Sequence, residues 1–155
     1  MPDRVLPYQT YKKYLNKGVY QAIIQKKTAP SMDEWLKEAK ADPVASEVGM
    51  FLAHNGVVRQ TPKAKVRQGV DDGSLVKWIE FSYDAGKVEQ AIAETYNMEG
   101  IFYIKVWLNE GRLEVGDDIM YVLIGGDIRP RIIDALQFLI GKIKTECVTE
   151  IEHKA

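Results

Sequence analysis

Few residues of the sequence have side chains suited to catalysis, and they form none of the familiar catalytic motifs. The chain lacks the G-x-S-x-G nucleophile elbow, the P-loop and the H-E-x-x-H zinc motif. His54 and His153 are its only histidines, and isolated histidines are typical of surface or capping positions. Because these histidines and the single Cys147 do not cluster, we expect no metal site and no intrachain disulfide.

One candidate anion site is the stretch Gly-Gly-Asp-Ile-Arg-Pro at residues 125–130. It combines a turn, the start of a predicted helix and the guanidinium of Arg129. Free backbone N–H groups and a guanidinium together can hold a phosphate. On spacing alone, however, a structural turn explains these residues better.

A second candidate is the basic segment that follows Arg59. Residues 60–73 have no apolar period, so we predict a long loop there. Its charge contrasts with an otherwise acidic body, which leaves two interpretations open: an anion site, or a solvated flexible loop. The basic residues are Arg59, Lys63, Lys65 and Arg67.

A buried strand and a long helix are predicted to form the framework that positions these groups. Residues 118–124 are apolar on both faces, so we expect a central strand that is covered on both sides. Asp127 can cap the following helix and Pro130 fits its first turn, so the helix is predicted over residues 130–144. Its apolar stripe consists of Ile132, Ile133, Leu136, Leu139, Ile140 and Ile143.

The remaining elements are predicted from caps, turns and periodicity. Ser31 and Glu34 form a capping box before a short helix, and Asp84 caps a second helix that ends near Gly100. Further strands are expected at residues 48–59, 75–83, 101–108 and 147–152, the first with an irregularity at Asn55-Gly56 and the last at a sheet edge, with a turn at residues 109–112. The order of elements predicts an α+β sandwich of mixed sheet and helices.

Charge divides the chain into two parts. Residues 1–31 carry six Lys or Arg and one Asp, a charge of +5, whereas residues 32–155 carry fifteen against twenty-one, a charge of −6. We therefore predict a basic amphipathic extension over 1–31 and one domain over 32–155. The acidic body argues against a nucleic-acid binder. No apolar run is long enough for a membrane span, and no secretory signal is present, so a cytoplasmic location is expected.

The basic extension has two open interpretations. Its tyrosines and aliphatic residues recur at helical spacing, with lysines around the rest of the wheel. It either covers an apolar patch on this chain or a partner subunit, or binds an acidic partner or surface. Gly18 within the pattern costs a helix roughly 1 kcal/mol relative to alanine.

Several segments together resemble a known family. HNGVVR at 54–59, LVKWIEFSY at 75–83, GRLEVGDDIMYVLI at 111–124, Arg129 and the KIKTE that ends the long helix are similar, over about residues 47–152, to the large, catalytic subunit of molybdopterin synthase. The resemblance implies an α/β hammerhead homodimer without a cofactor. It also implies a partner, a small ubiquitin-like subunit whose C-terminal Gly-Gly thiocarboxylate supplies sulfur. The implied reaction places two sulfurs on cyclic pyranopterin monophosphate to form molybdopterin.

The resemblance assigns roles to four residues of this chain. Gly56 and Arg59 fall on the family's glycine-x-x-arginine that holds substrate, and Arg129 falls on the arginine of its histidine-arginine pair. Lys144 falls on the catalytic lysine at the end of the long helix. In chemical terms, fixed arginines would bring two anions together, and Lys144 would donate or accept a proton.

Two departures from the family pattern leave alternatives open. Ile128 stands at the histidine position, and Glu150 and Ile151 stand where the family has a tryptophan-lysine pair, with Lys154 as a candidate substitute for the lysine. The chain is therefore either a sulfurtransferase or a non-catalytic, dimeric member of this fold that binds a pterin, nucleotide or protein. A third interpretation makes the basic extension the functional part. Without the resemblance, Lys144 would be a solvated lysine favoured by the helix dipole.

Overall fold

A computed structural model describes residues 25–154 of the chain. These residues form four α-helices, six strands and two short helical turns of other types. In chain order they are α1 Met32–Ala41, a 3-10 turn Pro43–Glu47, β1 Met50–Val57, α2 Lys63–Gln68, β2 Val76–Tyr83, α3 Ala85–Tyr96, β3 Ile101–Leu108, β4 Gly111–Glu114, β5 Asp118–Gly126, α4 Arg129–Lys142, a π-helical turn Ile143–Cys147 and β6 Val148–Lys154.

The strands make two three-stranded sheets, ordered β1-β5-β3 and β4-β2-β6. The predicted α+β class is confirmed, and β5 is central in its sheet while β6 lies at a sheet edge, as expected. Every strand pairing within the described residues is antiparallel, so the expectation of a mixed sheet is wrong. The reason is topological, because no crossover connection returns a strand parallel to its neighbour.

β5 is buried on both faces because two clusters of side chains cover it. One face contributes Met120, Val122 and Ile124 to the main core, which α3 and α4 also line. The other face contributes Leu123 to a smaller cluster under α1, where Trp35 meets the edge of the Tyr121 ring at a centroid distance of 6.1 Å. This double burial accounts for the strand's uninterrupted apolar sequence.

Two of the three predicted helix N-caps are present in the structure. The Ser31 hydroxyl accepts the Glu34 N–H at 3.2 Å, and Asp84 accepts the Lys87 N–H at 3.1 Å, so both predicted caps are confirmed. Asp127 does not cap α4 in this way. It accepts the adjacent Ile128 N–H at 2.7 Å and pairs with Arg131 at 2.6 Å, one turn into the helix.

Two elements were absent from the prediction. The segment 60–73 is not a continuous loop, because it contains α2, which begins after Pro62 and ends at Gly69 with φ of 69°. None of the α2 residues is buried, so no apolar period marks the helix. β4 replaces the second half of the predicted turn at 109–112, and only Leu113 of its four residues is buried, which leaves too short a pattern to read.

The last residues of the basic extension contact the body. The backbone N–H of Lys27 donates to the Asn109 side chain at 2.7 Å, and Asn109 donates back to the Lys27 carbonyl at 3.2 Å. Lys26 pairs with Asp117 at 3.0 Å. Asn109 is buried, so its amide depends on these partners and on the Asp118 carbonyl. The amphipathic pattern predicted before residue 25 lies outside the described residues.

Among residues 25–154, no helix has the length and apolar character needed to cross a membrane.

These contacts generate a prediction about where the folded domain begins. A chain that starts at Gln25 keeps these contacts and serves as the reference. A chain that starts at Met32 should still unfold cooperatively but lose about 1–3 kcal/mol, because buried Asn109 loses its partner at residue 27. Thermal and urea unfolding measure both. Loss of cooperative unfolding in the shorter chain would contradict a domain that begins at residue 32.

Candidate functional site

A cationic pocket lies where the two sheets meet. Its wall is built from the end of β1, the loop that follows, α2, the start of β5, the π-helical turn and β6, while β2 contributes Ile79 and Phe81. Of the four residues assigned by resemblance, Gly56, Arg59 and Lys144 line this one pocket although up to 88 positions separate them in the chain. The charged lining residues are Arg59, Lys63, Arg67, Lys144, Glu150 and Glu152.

Arg59 is fixed by the chain around it rather than by an ion pair. The Val58 N–H donates to the Asp117 carbonyl at 2.9 Å and the Gly116 N–H donates to the Val58 carbonyl at 2.8 Å, which anchors the backbone. The Arg59 Nε donates to the Thr61 carbonyl at 3.0 Å. No carboxylate in the part of the chain that the structure describes pairs with Arg59, so its charge is available to a ligand.

α2 brings two further cations to the pocket and is itself held by β6. Lys63 Nζ pairs with Glu150 at 2.9 Å, and the Lys63 backbone N–H donates to Glu152 at 3.0 Å. Glu150 therefore neutralises Lys63, whereas Arg67 has no such partner within residues 25–154. Lys65 points elsewhere, because it pairs with Asp71 at 3.2 Å and does not line the pocket.

Lys144 lies in the π-helical turn that follows α4, not in the last turn of an α-helix. Such turns are frequent at functional sites because they displace a side chain from the regular helical position. Partial burial lowers the pKa of Lys144, and the positive charges of Arg67, Arg59 and Lys63 lower it further, while Glu150 opposes them. A larger fraction of Lys144 is therefore the free amine, which can accept a proton.

Arg129 does not reach this pocket within one chain. It is the first residue of α4, and Lys144 follows fifteen positions later, about 22 Å along a helix axis. The anion site suggested at residues 125–130 is not supported either. Gly125 and Gly126 continue β5 and pair with both neighbouring strands, and the Asp127 carboxylate already occupies the start of α4.

The only thiol of the chain is unsuited to carry sulfur. Cys147 is buried, and that burial, together with the charges of Glu146 and Asp84, raises its pKa. The protonated thiol is a poor nucleophile. Within residues 25–154, no three His, Cys, Asp or Glu side chains are grouped so that they could hold a metal ion.

Sequence reasoning missed His54 and misjudged its position. It is not a surface residue: it is half-buried, and its Nε2 atom is buried without a hydrogen-bond partner among the described residues. Burial and, next, the charge of Lys144 lower its pKa. The sequence feature that could have identified His54 as a site residue is its position two residues before Gly56. Lys154, by contrast, lies at the far end of β6 opposite Val76 and does not line the pocket.

The charges around Lys144 predict its reactivity toward acylating reagents. Lys144 should acylate with a lower pH midpoint than Lys142, whose pKa is raised by Glu146 and Glu94. Arg67→Gln should raise the Lys144 midpoint, because it removes a neighbouring positive charge, and leave Lys142 unchanged. Competitive labelling with peptide mass spectrometry measures both residues in one sample. Equal midpoints for the two lysines would contradict the depressed pKa.

Comparison with known proteins gives one sequence family and several solved structures. A sequence model of the family described as "MoaE protein" matches residues 25–146 of the chain. No curated protein sequence matches the chain.

The solved structures are similar in fold but distant in sequence. Molybdopterin synthase from Staphylococcus aureus has a TM-score of 0.62 and 17% identity, with 81% of this chain and 87% of that chain covered. A molybdopterin biosynthesis MoaE protein from Burkholderia ambifaria has a TM-score of 0.62 and 17% identity, with 83% and 84% covered. A Helicobacter pylori complex of subunits 1 and 2 of molybdopterin-converting factor has a TM-score of 0.56 and 16% identity, with 80% of this chain and 79% of that chain covered.

The family match spans well over half of the chain, and the fold agrees with that of solved members. The chain therefore belongs to the MoaE protein family, whose role is in molybdenum cofactor biosynthesis.

Proposed function

We propose that this chain is the catalytic subunit of a molybdopterin synthase, a cytoplasmic sulfurtransferase. Its substrate is cyclic pyranopterin monophosphate, and its sulfur donor is the C-terminal thiocarboxylate of a small ubiquitin-like subunit. The observation that carries the proposal is the convergence of Gly56, Arg59 and Lys144 on one cationic pocket. A partner subunit is also supported by the fold's likeness to the Helicobacter pylori complex of two subunits.

The pocket supplies charge where the reaction needs it. Substrate and donor are both anions, so they repel each other in water unless fixed cations hold them. Arg59 and Arg67 are free of carboxylate partners among residues 25–154, and α2 is anchored to β6 by Lys63. Gly56 has no side chain, which leaves the backbone of β1 open to close approach by the substrate.

Lys144 handles protons in this mechanism. As the thiocarboxylate sulfur bonds to a substrate carbon, an oxygen leaves that carbon and needs a proton. The Lys144 ammonium donates it, and the amine that results accepts a proton from the water that then cleaves the acyl–sulfur bond, which leaves sulfur on the substrate and returns the small subunit with a C-terminal carboxylate. A lowered pKa suits a group that must alternate between the two forms near neutral pH.

A binding protein without turnover is the second candidate, and specific residues favour it. Ile128 is exposed beside Arg129 and offers no imidazole, and Ile151 is exposed on β6 and offers no amine. Glu150 also reduces the positive charge of the pocket through Lys63. Such a protein would retain the anion pocket through Arg59 and Arg67.

Reconstitution tests the proposal and separates the two candidates. Purified protein, thiocarboxylated small subunit and cyclic pyranopterin monophosphate should give molybdopterin, read as the fluorescence of its oxidised derivative. Arg59→Ala should weaken substrate binding about 10- to 100-fold, because a charged hydrogen-bond donor is lost. Lys63→Ala is the matched control, with an effect below about fivefold, since its charge is already shared with Glu150.

The outcomes of this experiment are distinct. Absence of product while a known synthase works in parallel overturns the sulfurtransferase proposal. Substrate binding without product identifies the non-catalytic candidate. Equal losses in Arg59→Ala and Lys63→Ala mean that the pocket attracts anions as a diffuse patch rather than through a fixed arginine.

The distance between Arg129 and Lys144 leads to a homodimer with composite sites. If both residues serve one substrate, Arg129 must come from the other protomer, which requires a two-fold dimer with two such sites. Mixing inactive Arg129→Ala with inactive Lys144→Ala should then restore activity in about a quarter of the sites, those of mixed dimers that keep both residues.

Arg59 provides the control for this complementation. Arg59 and Lys144 line the same pocket of one protomer, so a mixture of Arg59→Ala and Lys144→Ala should stay inactive. Subunit exchange is verified by mass spectrometry of differently labelled protomers. A monomeric protein, or a first mixture that stays inactive despite exchange, contradicts the composite site.

A further inference from the structure

His54 and Lys144 are brought to the same place by the packing of α4 on β1. Met50 and Leu52 of β1 and Leu136 and Ile140 of α4 pack against one core, and the two elements are in contact. His54 is two residues beyond Leu52 on the same face of its strand, and Lys144 is four residues beyond Ile140. Lys144 lines the pocket, and His54 lies two residues before Gly56, which lines it too.

The imidazole of His54 ends in an unused polar atom. Nε2 is buried and has no hydrogen-bond partner within residues 25–154. A buried nitrogen without a partner is destabilising, so it normally has a structural or functional explanation. The neighbouring Asn55 differs, because its side-chain amide has a hydrogen-bond partner: it donates to Asp118 at 3.0 Å.

Gly56 lies beside this nitrogen and lines the pocket, which His54 itself does not line. A Cβ atom on residue 56 would lie 3.7 Å from His54 Nε2 and 3.3 Å from Met120 Cγ. A side chain there would contact the nitrogen, whereas glycine does not. Because Gly56 lines the pocket together with Lys144, His54 Nε2 lies next to the wall of the pocket that Lys144 also lines.

We propose that His54 is a positioning residue for Lys144: the two side chains form no hydrogen bond in this structure, but when the Lys144 amino group turns toward Nε2, that nitrogen accepts a hydrogen bond and holds the group at the pocket beside Gly56. The pairing satisfies the buried nitrogen of His54. It also restrains the long side chain of Lys144, and the hydrogen bond offsets part of the rotamer freedom that is lost. The inference rests on the packing of β1 against α4 and does not require the sulfur-transfer reaction.

The surrounding charges fit a neutral imidazole. Lys144 is the charged group that acts on His54, and its charge and the burial of the ring both lower the pKa of His54. The groups that act on Lys144 are Arg67, Glu150, Arg59 and Lys63. In a pocket with this excess of positive charge, His54 is unprotonated at neutral pH and one ring nitrogen carries a lone pair. Below its pKa, imidazolium and ammonium repel each other and the pair separates.

The presence of only two histidines makes nitrogen NMR a direct test. With 15N-labelled imidazoles, Nε2 of His54 should be the unprotonated, acceptor nitrogen at neutral pH, and His54 should titrate below its ordinary pKa. In Lys144→Met its midpoint should rise by about 0.5 pH units or more, because the neighbouring charge is gone. Lys142→Met is the matched control and should leave His54 unchanged, and His153 should not respond to either substitution.

A second pair of variants reads the interaction from the lysine. His54→Phe fills the space of the ring but accepts no hydrogen bond, so the acylation midpoint of Lys144 should fall. His54→Gln restores an acceptor and should return the midpoint toward the wild-type value. Neither measurement needs substrate or partner, so failure of this proposal is distinguishable from failure of the proposed function.

Three results would overturn the pairing. They are a protonated Nε2 in His54 at neutral pH, a His54 midpoint that ignores Lys144→Met, and a Lys144 midpoint that is the same in His54→Phe, His54→Gln and the wild-type chain. If His54→Phe fails to fold, the first two measurements still decide, because they leave His54 in place.

Discussion

The burial of β5 on both faces is the constraint on which the rest of the structure depends. Its two rows of apolar side chains cannot be covered by one layer, so α1 packs on one side and the main core on the other. This fixes β1 and β3 as its neighbours along their whole length. The strand's first residues lie opposite Gly56 and Val57, and its end leads directly into α4.

That arrangement determines where the chemistry can occur. Because β1 and α4 both pack against the core that β5 organises, the end of β1 and the turn after α4 come together at the junction of the two sheets. The pocket forms at that junction, outside the dry core. Its cations can therefore meet an anionic ligand without being desolvated within the core, where unpaired charges would be costly.

Electrostatics within the pocket depends on which cations have partners. Glu150 and Glu152 of β6 hold α2 through Lys63, and this anchors the helix while removing one positive charge from the pocket. Arg59 and Arg67 keep their charges. Burial first, and then the charges of Arg67, Arg59 and Lys63, lower the pKa of Lys144. Burial and then the charge of Lys144 lower the pKa of His54, so a neutral proton acceptor lies beside the fixed cations of the pocket.

The cationic pocket lies in a body, outside residues 1–31, whose composition is acidic. A chain with a net negative body does not attract anions generally, so the cationic pocket is a local feature made by a few residues from α2, the β1 loop and the π-helical turn. Local charge of this kind selects for a ligand that fits the pocket and not for any polyanion.

By itself the sequence determined the elements whose patterns are local. Strand burial on both faces, the caps at Ser31 and Asp84, and the order of the long helices and strands follow from periodicity and capping chemistry between near neighbours. It could not reveal α2 or β4, because α2 has six residues of which none is buried and β4 has only four residues at a sheet edge, so neither shows an apolar period. The resemblance named Gly56, Arg59 and Lys144, but their convergence on one pocket depends on contacts between residues far apart in the chain. The separation of Arg129 from Lys144 follows from their spacing along a helix. Only the tertiary structure decided that His54 lies near Lys144, because burial and charge act through space and not along the sequence.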